Sequence, residues 1–556
     1  MPFDDDSLSR RTYLKFAGVA TASAGLAGCT GGDGDGGDGD GGATPTDAPD
    51  QTEAPDQTEA PDDTEAPDGT DEPTRSDLQV VVTMGTMDSG LDPQDHAETN
   101  TDIVVRQGYE RLLDRAPDGA VIAGLATNWR RVEEGAAYFQ LRDGVTFHNG
   151  DPLTPDDVAF SIRRIVFDDV DFVSPQSGDL GNVSGVQPGQ NAVTVLFDSL
   201  NPIAFQLFAT NGEIMQRSWV QNNSTDYINR NLNGTGPFQL TSYDSGNEVV
   251  YDRFDDYWGG AAYVGGVTLN SSTESSTRVN RLLAEESDIV TNVPPQEVPR
   301  VESSNVASIR AVPSTRIIFL QMRYDVEPFS SVEFRQAMNY AVDVESIIEN
   351  VLNGFGRITG QPTLSEFVGY IPDVDPYPYD PGRAEELVDQ SGHAGVEITL
   401  QTPIGRYLKD VEIAQAAAAQ INELPNVTCD VQQRDFAALV QDLLTGSIED
   451  KPHFNLLGWG NGEFDASQTI GPLLTSSGFL TILKDSEVDQ LMQQAANEAD
   501  PDQRVAILQE ANARLHDLAP WVFMHQQFSV YGVSNEIDWE PRSDETIDPY
   551  RATPTG

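Results

Sequence analysis

Cysteine is almost missing: Cys29 and Cys429 are the only two in 556 residues. A chain this long then relies on burial and ions rather than a disulfide framework. Lysine is nearly as rare, at positions 15, 409, 451 and 484, so arginine supplies almost all of the 33 basic residues. With no basic face available, nucleic-acid binding is excluded. Histidines 96, 148, 393, 453, 516 and 525 are scattered rather than paired at ligand spacing, which leaves no metal motif. Gly-x-Ser-x-Gly, His-Glu-x-x-His and Gly-x-x-x-x-Gly-Lys are all absent, and with them the nucleophile elbow, the zinc helix and the phosphate loop. No catalytic residue, cofactor or metal is expected. Beyond the N-terminus no apolar run reaches the ~18 residues of a membrane span.

What the chain has is acid. Asp and Glu number 89, for a formal net charge of −56. Residues 31–77 carry −15 of this, with Arg75 their one basic residue, and residues 1–30 balance, so residues 78–556 carry −41. At ~0.01 M salt the Debye length is ~30 Å and such a surface repels itself, whereas in molar salt it falls to ~3 Å. An acid-rich, lysine-poor composition therefore reads as adaptation to high salt, and resembles that of haloarchaeal proteins. An acidic surface for cations or basic partners is the competing reading.

The N-terminus is an address. Ser9-Arg10-Arg11-Thr12-Tyr13-Leu14-Lys15 resembles a twin-arginine export signal, and the short apolar stretch Phe16 to Gly28 follows it. Leu26-Ala27-Gly28-Cys29 resembles a lipobox, which makes residues 1–29 a signal peptide and Cys29 the lipidated residue. Residues 30–77 form a disordered acidic tether. Gly31 to Gly42 is all Gly and Asp, and the six-residue repeat Asp47-Ala48-Pro49-Asp50-Gln51-Thr52 then recurs with little apolar content to offset chain entropy. The folded part is expected on the extracellular face of the membrane, held by lipid.

From residue 78 on, strand-like and helix-like segments alternate, which indicates an α/β fold. Leu78–Thr83 reads as a first strand. Tyr138–Leu141 and Val145–Phe147 read as a hairpin around Arg142-Asp143-Gly144. Thr154-Pro155-Asp156-Asp157 reads as a helix start, with a Thr cap, Pro at the first position and acids in the first turn. Further helices are expected over Glu333–Asn350, Pro381–Gln390, Val411–Leu424 and Asp502–Leu518. Gly458-Trp459-Gly460-Asn461-Gly462 reads as a tight turn.

Three blocks carry a family resemblance: Gly124-Leu125-Ala126-Thr127-Asn128-Trp129, Phe139 through Gly150, and Leu153 through Ser161. With Leu91-Asp92-Pro93, Gly234-Thr235-Gly236-Pro237-Phe238, Asp256-Tyr257-Trp258, Tyr340-Ala341-Val342-Asp343 and Ala519-Pro520-Trp521, they resemble the family 5 extracellular solute-binding proteins of ABC importers. This is the oligopeptide, dipeptide and nickel-binding type. Phe254 and Arg323 depart from the family, which often has Asn at both places.

The resemblance implies a two-lobed periplasmic-binding-protein-like clamp, type II, in the large form with an extra side domain. Lobe one would comprise residues 78–100, 222–325 and 519–548, its side domain 101–221, and lobe two 326–518. It implies no enzyme, but a monomer that captures a small solute, peptide-like above all, and passes it to ABC permease subunits.

A cleft needs aromatic floor and a few fixed polar groups. Trp459 follows the apolar run Phe454–Leu457, so it should emerge at the C-terminal end of a buried strand, where open α/β sheets present ligands. By resemblance, Glu463 or Asp465 on the next loop would take a ligand's ammonium group, although this loop is one residue shorter than in the family. Arg406 and Tyr407 lie where some relatives hold an arginine for the ligand's carboxylate, and Tyr109 is a further candidate. A sensory receptor without a permease and a surface hydrolase using two cleft carboxylates are the competing readings.

Overall fold

The computed structural model describes residues 76–555 apart from 88–89, 97, 168–171 and 445–447. The signal peptide, Cys29 and nearly all of the tether lie outside the described residues. One eleven-stranded mixed sheet runs through the molecule. From one edge its path is Val427–Arg434, Val396–Pro403, Phe454–Gly460, Ala307–Met322, Trp521–Ser534, Ile289–Val290, Gln79–Met84, Gly266–Ser271, Glu248–Arg253 and Phe238–Asp244. Gly356–Ile358 pairs with Trp521–Ser534 off this path.

Two long strands, Ala307–Met322 and Trp521–Ser534, cross from one half to the other. Ala307–Pro313 pairs with Phe528–Ser534, and Ile317–Gln321 pairs with Trp521–Gln526, with one register break between the two stretches and another between Ile318 and Phe319. The break begins at Pro313, which has no N–H to give the ladder. Side chains fill the gap: Ser314 Oγ donates to Gln527 O and Gln526 Nε2 donates to Ser314 O, both at 2.8 Å.

Beyond the break, alternate residues of these strands serve two cores, as the pleat requires. Ile318, Leu320, Val522 and Met524 pack with Phe454 and Leu456 beneath helices Val332–Ala341, Val344–Asn350, Pro381–Ser391 and Asp410–Ile421. Ile317, Phe319, Trp521 and Phe523 face helices Ser467–Leu474, Ser486–Asn497 and Pro501–Leu518 on the other side. Phe319 stacks on Trp521 with ring centroids 3.6 Å apart. This is a sheet sandwiched between helical layers. The other half repeats the arrangement: Val80, Val82, Val249, Tyr251, Val267 and Leu269 build one core, and Val279, Leu282, Val290 and Val530 another.

A separate four-stranded antiparallel sheet carries its own core. Its order is Ala126–Glu133, Ala136–Leu141, Ala192–Phe197, Val183–Pro188, and helix Pro155–Val166 packs on it. That helix opens as its sequence implies, with Thr154 and Asp157 exchanging hydrogen bonds in a capping box.

Three expectations are corrected. Tyr138–Leu141 forms no hairpin with Val145–Phe147, because both of its neighbours are taken by Ala126–Glu133 and Ala192–Phe197. The chain after Gly144 turns inward instead and is held by His148, whose backbone N–H donates to Gly234 O and whose Nε2 lies 3.0 Å from Gly236 O. The helix expected over Glu333–Asn350 is two helices, because Asp343 caps a new one through Ser346 N. Gly458 through Gly460 is the end of a strand rather than a turn.

Candidate ligand cleft

The strand Phe454–Gly460 pairs with the first crossing strand, which sets Trp459 opposite Ile317. Gly458 is needed there, since a Cβ would stand 2.7 Å from both Ile318 Cδ1 and Tyr407 Cε1. Trp459 is half-buried; its Nε1 donates to Gln468 O at 2.9 Å and its ring lies 6.3 Å from that of Phe479.

The loop that follows is tied at both ends. Asn461 N donates to Thr315 O at the strand crossing, and its Nδ2 donates to Asp465 O and Thr469 Oγ1. Asp465 is fully buried: Arg504 Nη1 and Nη2 reach its two oxygens at 2.7 and 2.8 Å, and Ser467 Oγ adds a bond at 2.6 Å. Its carboxylate is thereby committed to the protein, which separates it from Glu463, the other residue expected to take an ammonium group.

Glu463 remains partly open to solvent. Its Oε1 lies 3.5 Å from Asn211 Nδ2, at the end of helix Ala204–Thr210, more than 250 residues earlier in the chain. Burial raises its pKa, partly offset by Arg115. Asp179, also partly open, is pushed well above the usual carboxylate range by burial and then by the charge of Glu463. The Asn211 amide bridges the two places, with its Nδ2 donating to Asp179 O at 3.3 Å. The charge of Glu463 thus disfavours the charged form of Asp179, while Glu463 itself is raised mainly by burial.

Tyr407 is buried, and its hydroxyl donates to Gly458 O at 3.1 Å. Asp410 fixes the loop before it by accepting from Gly405, Arg406 and Tyr407 N. Arg406 is exposed, with its guanidinium over the rings of Tyr407 and Phe436 at 5.1 and 5.2 Å. Tyr109 is 1% exposed in the core of the first half, where its hydroxyl accepts from Asn233 N. The structure therefore brings Trp459, Tyr407 and Glu463 around one strand end, and places Tyr109 in a core instead.

Asp179, Asn211 and Arg115 went unseen in the sequence. Nothing marks Gly178-Asp179-Leu180 in so acidic a chain, and only the fold brings it within reach of the charge of Glu463.

Among the described residues no three His, Cys, Asp or Glu are grouped to hold a metal ion, and no helix is long and apolar enough to cross a membrane. His516 Nδ1 lies 2.8 Å from Gly360 O, and His525 is buried within a strand.

The model of the family described as bacterial extracellular solute-binding proteins, family 5 (middle), matches residues 120–480. The chain belongs to that family. The chain is 24% identical over 453 residues to heme-binding protein A of Haemophilus influenzae, which covers 75% of this chain and 81% of that protein. It is 24% identical over 447 residues to the dipeptide-binding protein of Escherichia coli, covering 74% and 82%. Among solved structures, the ABC transporter-associated periplasmic binding protein DppA of Helicobacter pylori, in complex with peptide STSA, superposes with a TM-score of 0.73 at 21% identity, covering 87% of this chain and 99% of that one. The fold of this family 5 protein is thus the two-lobed type II periplasmic-binding fold, and the crossing strands are its connection between lobes. Family 5 is a family of extracellular solute-binding proteins rather than enzymes.

Proposed function

We propose that this chain is the substrate-binding lipoprotein of an ABC importer, which encloses a small solute bearing a cationic group and delivers it to a membrane permease. The observation that carries the reading is the charge of Glu463 acting on Asp179, with the Asn211 amide in hydrogen-bond reach of both residues. The charge of Glu463 keeps Asp179 from ionising readily, and that conflict is relieved when a cation lies between them. A free ammonium group, as on a short peptide, is such a cation, and the dipeptide-binding and peptide-bound relatives support that class. Arg406, at the exposed end of its loop, is the group for the solute's carboxylate, and Trp459 is a wall of the cleft. Asp465 acts indirectly, by holding the loop. On this reading the lobes, with lobe two near 326–518, turn about the register break at Pro313–Ile317 and the facing residues Gln526–Phe528.

Twin-arginine export, lipid attachment at Cys29, a monomeric state and adaptation to high salt complete the proposal. Titration calorimetry in molar salt tests it with di- and tripeptides, their N-acetylated forms and a neutral sugar. Glu463→Gln should weaken the amine-bearing peptides at least ~10-fold, since losing one partner of a desolvated pair costs about 2–5 kcal/mol, and leave the others unchanged. Equal affinity of the variant and the original protein for every amine-bearing peptide that binds rejects the assignment.

A further inference from the structure

Phe464 is the one aromatic residue among the described residues with a left-handed backbone, φ +57°. Bulky L side chains avoid that region, and a residue held there is over-determined by its surroundings. On its own lobe, Phe464 O accepts from Val368 N and its ring meets Phe367 edge-on at 5.3 Å. The other lobe supplies the rest. Arg115 sets its guanidinium 5.0 Å from the ring centroid, and a Cβ on Gly119 would stand 2.6 Å from Phe464 Cε1.

Arg115 is 3% exposed and donates to Gly119 O, Gln206 O and Thr210 Oγ1. Thr210 Oγ1 in turn lies 3.1 Å from Gly462 O, two residues before Phe464. A desolvated cation over an aromatic face is worth more than an exposed one.

We propose that Phe464 is the bolt of a latch between the lobes: on closure its ring enters a socket made by Arg115 and Gly119. The inference rests on the reading that the lobes open and close about the crossing strands. The latch favours closure by itself, whereas the same docking sets Glu463 against Asp179 and opposes it. A cationic solute removes the opposition and leaves the latch, so closure follows occupancy.

The test uses the full chain without solute. In T210C/G462C, a Cβ at position 462 would stand 3.1 Å from Thr210 Cγ2, so added oxidised glutathione, itself reduced to two thiols, joins the pair in a disulfide between lobes once they meet. Its rate of formation is followed by peptide mapping, which distinguishes it from Cys429. We expect Gly119→Ala, which pushes on the ring from the opposite lobe, to slow it roughly fivefold or more, the factor that about 1 kcal/mol makes. Phe464→Ala should slow it likewise. A rate that Gly119→Ala leaves unchanged overturns the latch whatever Phe464→Ala does, and so does a folded protein that forms no such disulfide. Because no solute is present, failure here stands apart from failure of the solute-binding reading.

Discussion

Arg504 grips Asp465 through two parallel hydrogen bonds, 2.7 and 2.8 Å long, and both side chains are buried. The pair anchors the loop carrying Glu463 to helix Pro501–Leu518, so a partly open carboxylate is positioned by a fully buried one. Removing one partner leaves a buried charge uncompensated, which costs about 3–5 kcal/mol. Asp465→Asn should therefore lower the denaturant midpoint sharply. Asp465→Leu combined with Arg504→Met should recover much of that loss, as apolar replacements of buried pairs do. Chemical denaturation in molar salt checks both.

His525 offers a pH test. It is 1% exposed in the second crossing strand, opposite Ile318, and neither ring nitrogen finds a partner among the described residues. Burial pushes its pKa down to about 3. The folded state thus keeps it neutral while the unfolded chain takes up a proton below ~6.5, so its stability contribution is present above ~6.5 and is lost as pH falls toward 3. His525→Leu should be more stable at pH 7 by about 1–2 kcal/mol, because it removes two unpaired polar atoms. Its margin should widen toward pH 5. Denaturation curves of both proteins at pH 5 and 7 measure it, and a margin that stays constant contradicts it.

Much of the fold was legible because its signals are local. The Thr154 cap, the apolar run leading to Trp459 and the helix starting at Pro381 each depend on a few neighbouring residues. The errors came where distant chain decided. The false hairpin at Gly144 arose because the partners of Ala136–Leu141 include a strand some fifty residues on. Asp343 reads as a helix residue until its side chain is seen to cap the next helix. At the cleft, Glu463 and Asp465 look interchangeable in sequence, and only Arg504, 39 residues later, separates them.

Salt should govern stability. Residues 78–556 carry −41, and at ~0.1 M salt the Debye length reaches only ~10 Å, against ~3 Å in molar salt. The purified protein should lose ellipticity and melt at lower temperature as salt is withdrawn. Circular dichroism against salt concentration follows this. An unchanged spectrum and melting temperature would remove the case for high-salt adaptation.

Cys29 gives a test of anchoring. Cys29→Ser should leave export intact and release the protein into the medium, since stable attachment needs acyl chains that serine at this position does not receive. Arg10→Lys with Arg11→Lys should instead leave precursor inside the cell. Fractionation and immunoblotting distinguish the two, and full membrane retention of Cys29→Ser contradicts the lipid anchor.

The central claim is that Glu463 and Asp179 enclose a positively charged group of a bound solute. Native mass spectrometry of the protein purified in high salt, followed by identification of what it releases, addresses this most directly. The account predicts one small molecule per chain bearing a free amine or other cationic group, and its loss from Glu463→Gln and Asp179→Asn. A retained solute without positive charge, or one held equally by both variants, would contradict it.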